Sequence, residues 1–492
     1  SCAALLGIAM VLATVYSTED NTKGMEGEEC RPLTQGEEQR GAASHGASLG
    51  WRHVIGVLAL LCNALCYADR SNLSVAIVKM SEELAWDDST RGCLLAAFFV
   101  GYLWTQLPGG LLANLLGAKP VLLFGVLGWS VLTLVTPACA WTSTELLYAV
   151  RVAIGLFEGV TVPAVHALIA AWALPLERSR TVAFASSGQF LGTVAAFSFS
   201  KQVELYWPSI FFVFGSAGFV WAALMGAIAS SRPESHAFIS RAERDLLQQE
   251  IGVKKPQSFR HVPWIEITRS KPFLCICAAH FSHNWGSYLL LSWIPLYLTR
   301  LGLSLKQSGS LFALPYVCAI LLDNAAAWFA DNVLLRMFNF SVRTTRKTMQ
   351  AVAMLVPMAC FACLIWTSDP HIALFFLCAA VSFGSISHSG YSANIIDIAP
   401  QLAGPLMGIV NTVGTVPGVL ANRLTGYILS RPDCSWAHVF SVTVVVYAFG
   451  LVAFLCFAQG HEILRPHSHT CIGSVEAEEK RTVLRLGQRQ ET

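Results

Sequence analysis

The stretch KPVLLFGVLGWSVLTLVTPACA, residues 119–140, contains a single charged side chain, the lysine with which it begins. A helix of this length rises about 33 Å at 1.5 Å per residue, which matches the hydrocarbon core of a bilayer at about 30 Å. A helix also satisfies its backbone hydrogen bonds within the segment, so it needs no water in lipid. The stretch therefore predicts a membrane-spanning helix.

The same pattern recurs along the chain of 492 residues, of which 54% are hydrophobic and only 13% are charged. That charged share is about half of the usual share in soluble domains. The charges are grouped in short segments between apolar runs of about 20 residues, the length of one membrane span. The chain is therefore predicted to be an all-α membrane protein with twelve spanning helices, at 52–78, 91–113, 119–140, 144–166, 179–201, 208–230, 272–298, 306–330, 347–367, 372–397, 402–428 and 436–458.

The order of these helices divides the chain into five parts. The parts are an apolar segment with a polar, glutamate-rich tail (1–50), a six-helix half (51–230), a charged central loop (231–271), a second six-helix half (272–458) and a carboxy-terminal tail (459–492). Residues 1–16 are similar to the apolar core of a signal sequence, whereas the acidic residues that follow are atypical of a transit peptide. Basic residues concentrate on one side of the predicted helices, which places both chain ends on the cytoplasmic side or, in an organelle, on the side of insertion.

Composition also excludes several classes of function. The net charge of +2 and the lack of a basic stripe indicate no nucleic-acid partner. The fifteen cysteines lie mostly in apolar runs, where cysteine packs as a small hydrophobic residue. Cys360 and Cys363 form a CxxC pair without further metal ligands. We therefore expect no enzyme, no metal site and no cofactor beyond a co-transported ion; the expected partners are the lipid bilayer and a small solute, and no obligate protein partner is implied.

Predicted helix 4 contains the string RVAIGLFEG, in which Arg151, Gly155 and Glu158 share one face. Gly155 and Gly159 are four residues apart and allow a neighbouring helix to approach closely. Ionisable residues inside a membrane are costly and mark functional sites, so we predict that Arg151 attracts an anion and Glu158 exchanges a proton. An internal ion pair that only locks helices together is the alternative. His166 lies on the same broad face, beyond Pro163.

Predicted helix 1 contains YADRSNLSVA, in which Tyr67 and Arg70 lie on a stripe that faces the central cavity. The adjacent Asp69 is expected to point elsewhere and to neutralise charge. Helix 8 contains Asp323, a further buried acid without an assigned role.

Predicted helix 7 contains HFSHNWGSYLLLSW, a polar stripe on an otherwise apolar helix. His283, Asn284 and Tyr288 from this stripe, with Asn411 of helix 11, are the candidate substrate contacts of the second half. Interhelical hydrogen bonding is the alternative for each of them. Two buried arginines in the first half would attract an anion, since Arg binds carboxylate or phosphate through two hydrogen bonds. The set favours an anionic cargo over a sugar or a drug.

Two turns on the cytoplasmic side are similar to each other. GGLLANLLGAK follows helix 2 and ends at Lys119, and AAWFADNVLLR follows helix 8 and contains Asp331. Both combine small residues with an amide or acid and a nearby cation. The two halves of the chain therefore contain a weak internal repeat, in which Lys119 and Asp331 lie at corresponding turns.

These strings resemble the anion:cation symporter family of the major facilitators, known in animals as solute carrier family 17. The matching strings are RSNLSVAIVKM, RVAIGLFEGVTVPAVHALIAAW, PLERSR, HFSHNWGSYLLLSWIPLY, TTRKTMQ and NTVGTVPG, within about residues 51–464. The resemblance implies a major facilitator fold of two six-helix halves with the substrate site between them. It also implies that Arg70, Arg151, Glu158 and His166 occupy substrate and coupling positions. It further implies that Lys119 and Asp331, at the two similar turns, are gating residues. Asn114 stands where the family usually has an acid in the first of these turns.

The branch of the family narrows the expected cargo. His283 stands where the glutamate-carrying branch has an arginine, and HNWG and TTRKTMQ are most similar to the plastid phosphate branch. The resemblance implies transport of inorganic phosphate with Na⁺ or H⁺, in the plastid envelope or another organelle membrane. The alternative is an organic anion (an acidic sugar, amino acid, ascorbate or nucleotide) driven by protons or membrane voltage. A non-transporting sensor on the same scaffold is a less favoured alternative.

Overall fold

The computed structural model describes residues 50–174, 177–251, 264–399 and 403–461. Within these ranges the chain forms twelve long helices in the predicted order. They are α1 (Trp51–Glu83), α2 (Asp88–Leu116), α3 (Ala118–Thr142), α4 (Thr144–Trp172), α5 (Arg180–Leu205), α6 (Pro208–Ile228), α7 (Lys271–Arg300), α8 (Gly309–Met337), α9 (Val342–Leu364), α10 (Pro370–Ile398), α11 (Ala403–Leu429) and α12 (Trp436–Phe457). The predicted amino-terminal part before Gly50 and the tail beyond His461 lie outside the described residues.

Ten of these helices, among the residues that the structure describes, are long and apolar enough to cross a membrane. The other two, α7 and α11, are equally long, with 30 and 27 residues. Their sequences contain more histidine, asparagine, threonine, glycine and proline, which lowers their hydropathy. Both pack against other helices, and α7 is buried along most of its length, so their polar groups find partners in protein.

Two of the long helices are interrupted near their middle. In α4 the segments Thr144–Glu158 and Thr161–Trp172 are separated at Gly159 and Val160. In α10 the first segment ends at Ser385, and a 3₁₀ turn, Ile386–His388, precedes the second segment. Non-helical backbone at membrane depth is tolerated where it is enclosed by protein or lines a cavity. The backbone at Gly159 and Val160 keeps α-helical φ and ψ angles, whereas Gly390, which follows the 3₁₀ turn of α10, does not. The interruption of α10 therefore marks a candidate wall of a central cavity.

Glycines determine how closely the helices approach. A Cβ atom added to Gly155 of α4 would lie 2.8 Å from the backbone nitrogen of Tyr102 in α2. A Cβ atom on Gly92 of α2 would lie 2.8 Å from the Cα of Gly426 in α11. Such distances leave no room for a side chain, so α2 is in direct backbone contact with α4 and with α11. The close packing expected from Gly155 is confirmed.

The two halves meet through α1 and α7, α2 and α11, and α5 and α8. At the end of the bundle where α2 begins, Asp88 of the first half is 2.5 Å from Arg300 of the second half. The Gly92–Gly426 contact lies one turn further into the bundle on the same side. These contacts join the halves at the end opposite to the central loop.

The central loop is tied to the start of α1. Its helix Arg241–Ile251 carries Glu243, whose two carboxylate oxygens accept hydrogen bonds from the backbone nitrogens of Trp51 and Arg52, each at 3.0 Å. The first N–H groups of a helix lack partners within the helix and carry partial positive charge. Glu243 therefore caps α1 from a different segment of the chain.

We expect Glu243→Gln to destabilise the protein by about 1 kcal/mol, because glutamine keeps an acceptor but removes the negative charge from the positive end of α1. Thermal unfolding in detergent measures the change as a lower Tm. Glu250→Gln, an exposed position on the same short helix, is the matched control and should leave Tm unchanged. Equal Tm values for the two variants would show that the cap does not stabilise α1.

Candidate functional site

Arg70 of α1 lies inside an aromatic cage. Its guanidinium carbon is 4.5 Å from the ring centroid of Tyr67 and 4.7 Å from those of Phe98 and Tyr102. The side chain is only 4% exposed. Aromatic faces attract a cation, more strongly where water is excluded. The cage from α1 and α2 therefore holds the guanidinium in place and leaves its planar N–H edge to meet an acceptor.

Glu158 of α4 is the acid nearest to this guanidinium. Its Oε2 is 3.6 Å from Nη2 of Arg70 and accepts a hydrogen bond of 3.1 Å from the thiol of Cys66. The residue is fully buried, and its other oxygen, Oε1, has no hydrogen-bond partner among the described residues. Buried polar atoms are rarely left without a partner in proteins. The carboxyl group of Glu158 also interacts with that of Asp69. Two adjacent carboxylates repel each other when both are ionised, so this pair of acids is a position for a proton or a cation.

Arg151 enters the same space from the first segment of α4. It is 2% exposed, and its guanidinium carbon is 5.5 Å from the ring of Phe98, which it shares with Arg70. Its Nε has no hydrogen-bond partner within the described part of the chain. Asp69 and Glu158 are the acids that attract it electrostatically. A buried guanidinium whose Nε–H lacks a partner is suited to donate a hydrogen bond to an oxyanion.

Asp69 lies on a different face of α1 from Arg70, as expected, and nevertheless belongs to this cluster. Its Oδ1 accepts hydrogen bonds from Thr133 of α3 at 2.6 Å and from Asn72 at 3.3 Å. Its carboxylate interacts electrostatically with Arg151 and Glu158, although it precedes Arg70 in the chain. Sequence spacing assigned it to another face of α1, but α3 and α4 surround that face. Its place in the cluster could have been predicted, because an acid within a membrane span is costly, as Arg70 is, and is a functional candidate for that reason.

The cluster therefore contains two cations and two acids, and not two fixed cations alone. With both acids ionised its net charge is zero, and each proton that binds to an acid adds one positive charge. Each proton or other cation that joins the cluster therefore strengthens its attraction for an anion. Among the described residues, no group of three or more His, Cys, Asp and Glu side chains could hold a metal ion.

The second half reaches this cluster through α7. The ring of Tyr288 lies 4.6 Å from that of Phe99, a residue of α2 that also faces Arg70. One turn earlier, Asn284 donates a 2.7 Å hydrogen bond to the carbonyl of Gly414 in α11. His283 is 7% exposed and its Nε2 is 3.3 Å from Ser287 of the same helix. Tyr288 is therefore next to the cluster, whereas Asn284 joins α7 to α11.

Asn411 bridges the two halves. Its amide nitrogen donates to the side-chain oxygen of Gln106 in α2, and the amide of Gln106 donates to Thr415 at 2.7 Å. Sequence reasoning missed Gln106, although a buried amide in an apolar helix was an available signal. The bridge is part of the contact between α2 and α11, so the hydrogen bond of Asn411 would break if these two helices moved apart.

The remaining predicted residues lie away from the cluster. His166 is exposed, and its Nδ1 is 2.8 Å from the carbonyl of Val162 in the same helix. Lys119 donates to the carbonyls of Gly226 and Ala229, each at 2.8 Å, at the end of α6. Asp331 is exposed in the π-helical end of α8. The structure does not join these three residues to each other, and their coupling and gating roles stay predictions.

Known proteins are similar to this chain in sequence. The family profile of the Major Facilitator Superfamily matches residues 59–422. Sodium-dependent phosphate transport protein 1, chloroplastic, of Arabidopsis thaliana is 38% identical over 83% of this chain and 80% of its own length. The chloroplastic ascorbate transporter of Arabidopsis thaliana is 38% identical over 83% of this chain and 75% of its own length.

A solved structure adds the fold. A bacterial homologue of the human lysosomal transporter Spinster, in an inward-facing and unoccupied conformation, superposes with a TM-score of 0.65 at 16% identity. The match covers 84% of this chain and 98% of that chain. The matched profile spans more than half of the chain, and the chloroplastic relatives are similar over most of their length. The chain is thus an integral membrane protein that belongs to the major facilitator superfamily and, within it, to the anion:cation symporter family.

Proposed function

We propose that this chain transports inorganic phosphate across a membrane, coupled to H⁺ or Na⁺, by alternating access of the two halves. The observation that carries the proposal is the buried cluster of Arg70, Arg151, Asp69 and Glu158, in which two guanidinium groups lie beside two acids. A transporter of this kind is not an enzyme and needs no cofactor besides the co-transported ion. The chloroplastic relatives support a plastid envelope as its membrane.

The cluster explains how anion and proton bind together. Arg70 is 3.6 Å from Glu158, so an anion that approaches Arg70 competes with that carboxylate. When Glu158 takes up a proton, the carboxylate becomes neutral and releases the guanidinium for the anion. Phosphate then accepts hydrogen bonds from Arg70 and from Nε–H of Arg151. Because each ligand favours the other, neither crosses efficiently alone.

We propose that helices of the second half move relative to the cluster during transport. Tyr288 lies beside the Arg70 cage. Opening toward the side opposite to the central loop would separate the Asp88–Arg300 pair. We propose that Lys119 and Asp331 act in gating the other side and that His166 contributes to coupling. His283 tunes selectivity from the second half.

An organic anion such as ascorbate is the second candidate. The relative that is named an ascorbate transporter is as similar to this chain as the relative named a phosphate transporter, at 38% identity each. A carboxylate or an enolate also binds to guanidinium through two hydrogen bonds. The cluster therefore accepts either class of anion.

Uptake of labelled phosphate into proteoliposomes tests the proposal, with H⁺ and Na⁺ gradients imposed separately. We expect uptake that requires one of the two gradients and that unlabelled phosphate abolishes. Stronger competition by ascorbate than by phosphate would favour the organic anion. If correctly folded protein takes up neither anion under either gradient, the proposed function is wrong.

A further inference from the structure

The second half contains a titratable pair that the cluster does not use. Nδ1 of His388, in the interruption of α10, is 3.2 Å from Oδ1 and 3.3 Å from Oδ2 of Asp323 in α8. The side chains are 38% and 25% exposed, respectively. Exposure of a charged side chain to lipid at this depth would be costly, so the exposed surface points to a water-filled cavity.

The packing of α8 supports this placement. Ile320, one turn before Asp323 on the same face, packs against Leu60 of α1 and Leu191 of α5. That face of α8 is therefore directed to the first half. His388 completes it from α10, where the helix is replaced by a 3₁₀ turn. Interrupted helices at mid-membrane are the usual position of substrate and ion sites in transporters.

The pair lies on the route between the cluster and the end of the bundle that bears the central loop. Tyr288 of α7 is beside the Arg70 cage, and His283 is five residues closer to the start of α7, about 7.5 Å along the helix. The ring of His388 is 6.3 Å from that of His283. An anion that leaves the cluster toward the central loop passes this level.

The charged and titratable neighbours of the pair are few. From α7 it is faced by His283 and His280, and from its own helix by Tyr391, which stacks on His280 with the ring centroids 4.6 Å apart. Arg346 of α9 is also near, but its Nε is 2.7 Å from Oδ2 of Asp397, so its charge is paired. From the first half, α1 presents Tyr67 toward Tyr391, and the charged residues of α5 lie near its two ends. Within the described residues, Asp323 is the acid beside His388.

The geometry decides what protonation does. A carboxylate only accepts hydrogen bonds, so Nδ1–H of His388 donates to Asp323 and Nε2 carries a lone pair while the ring is neutral. In that state the pair has one negative charge and repels an anion. A proton that binds Nε2 neutralises the pair and converts Nε2 from an acceptor to a donor directed away from Asp323.

We propose that His388, oriented by Asp323, is an anion contact of the second half that binds the cargo oxyanion only when its imidazole is protonated. This inference rests on the proposed function and adds a second proton-dependent position to it. His388 then supplies the N–H donor of the second half, opposite to the arginines of the first half. The cargo is an oxyanion such as phosphate or a carboxylate.

The test is the Kd of the full-length protein in detergent for labelled phosphate and for labelled ascorbate, at about pH 6 and pH 8. Comparison of variants at one pH cancels the titration of the anion and of Glu158. At pH 6 we expect His388→Gln to bind about tenfold more weakly than the unmodified chain, since Asp323 stays charged. At pH 8 we expect Asp323→Asn to bind about tenfold more tightly, since the repulsion is removed.

The control is His371→Gln, which removes the other histidine of α10, beside Asp369 at the outer end of the helix. Its Kd values should equal those of the unmodified chain.

If a single variant does not fold, Asp323→Asn/His388→Gln replaces both partners by amides and should lose the excess dependence on pH. Weaker binding by both single variants at both pH values, or a double variant that keeps the full pH dependence, would overturn the inference. Failure of the unmodified chain to bind either anion would instead reject the proposed function, and this inference with it.

Discussion

Proteoliposomes that contain the Arg70→Lys protein are expected to take up labelled phosphate at about 1% of the rate of the unmodified chain, or less. Lysine keeps the positive charge, but it lacks the planar fork that binds an oxyanion through two hydrogen bonds. Losing one charge-assisted hydrogen bond costs about 1.5–3 kcal/mol. The buried cage adds to this loss, because an ammonium is more strongly hydrated than a guanidinium and does not stack on the aromatic rings. Together these losses correspond to a decrease of roughly 100-fold or more.

A matched control is present at the opposite end of the molecule from the central loop. Arg431 also stacks on an aromatic ring, that of Tyr427 at 4.8 Å, but both residues are exposed. Arg431→Lys changes the same chemical group outside the site and should leave uptake unchanged. Normal uptake by correctly inserted Arg70→Lys protein would show that a point charge suffices and that two-point binding of the anion by Arg70 is wrong.

The second large effect is expected for Glu158→Gln. This change leaves the amide in the place of the carboxylate, so Arg70 is permanently released and the proton site is absent. Gradient-driven accumulation of phosphate should fall by about 100-fold, whereas exchange of labelled for unlabelled phosphate should continue, because exchange requires anion binding but no net proton movement. The two assays on the same vesicles separate coupling from binding.

Glu204→Gln is the control for this variant. Glu204 pairs with Lys79 at 3.1 Å near the end of α5, away from the cluster. It should show normal accumulation and normal exchange. If Glu158→Gln loses exchange as well as accumulation, Glu158 supports anion binding itself, and the proton acts elsewhere, with Asp69 as the next candidate.

The apolar runs were enough to predict the order and the approximate positions of the twelve helices. Burial of about 20 consecutive apolar residues in lipid is a local property, and it can be read from each segment separately. The ionisable residues within those runs also identified Arg70, Arg151 and Glu158, since their burial is costly wherever the helix is placed. The small-residue spacing at Gly155 predicted the contact that α2 makes there.

The packing of the helices decided which side chains from different segments become partners. Asp69 is part of the charge cluster because α3 and α4 cover its face of α1, which the helical spacing placed away from the central cavity. Asn411 became a bridge because Gln106 stands opposite to it on α2, and Lys119 became the cap of α6. Asp323 acquired a partner only through the interruption of α10.

The physical reason is the range of the forces involved. Hydropathy and helical period act within one segment, so the sequence by itself determined the fold class, the spans and the presence of buried charge. Hydrogen bonds and ion pairs act over about 3–4 Å between helices that may be a hundred or more residues apart in the chain. Which charges neutralise each other, and which are left for an anion, was therefore decided only by the tertiary structure.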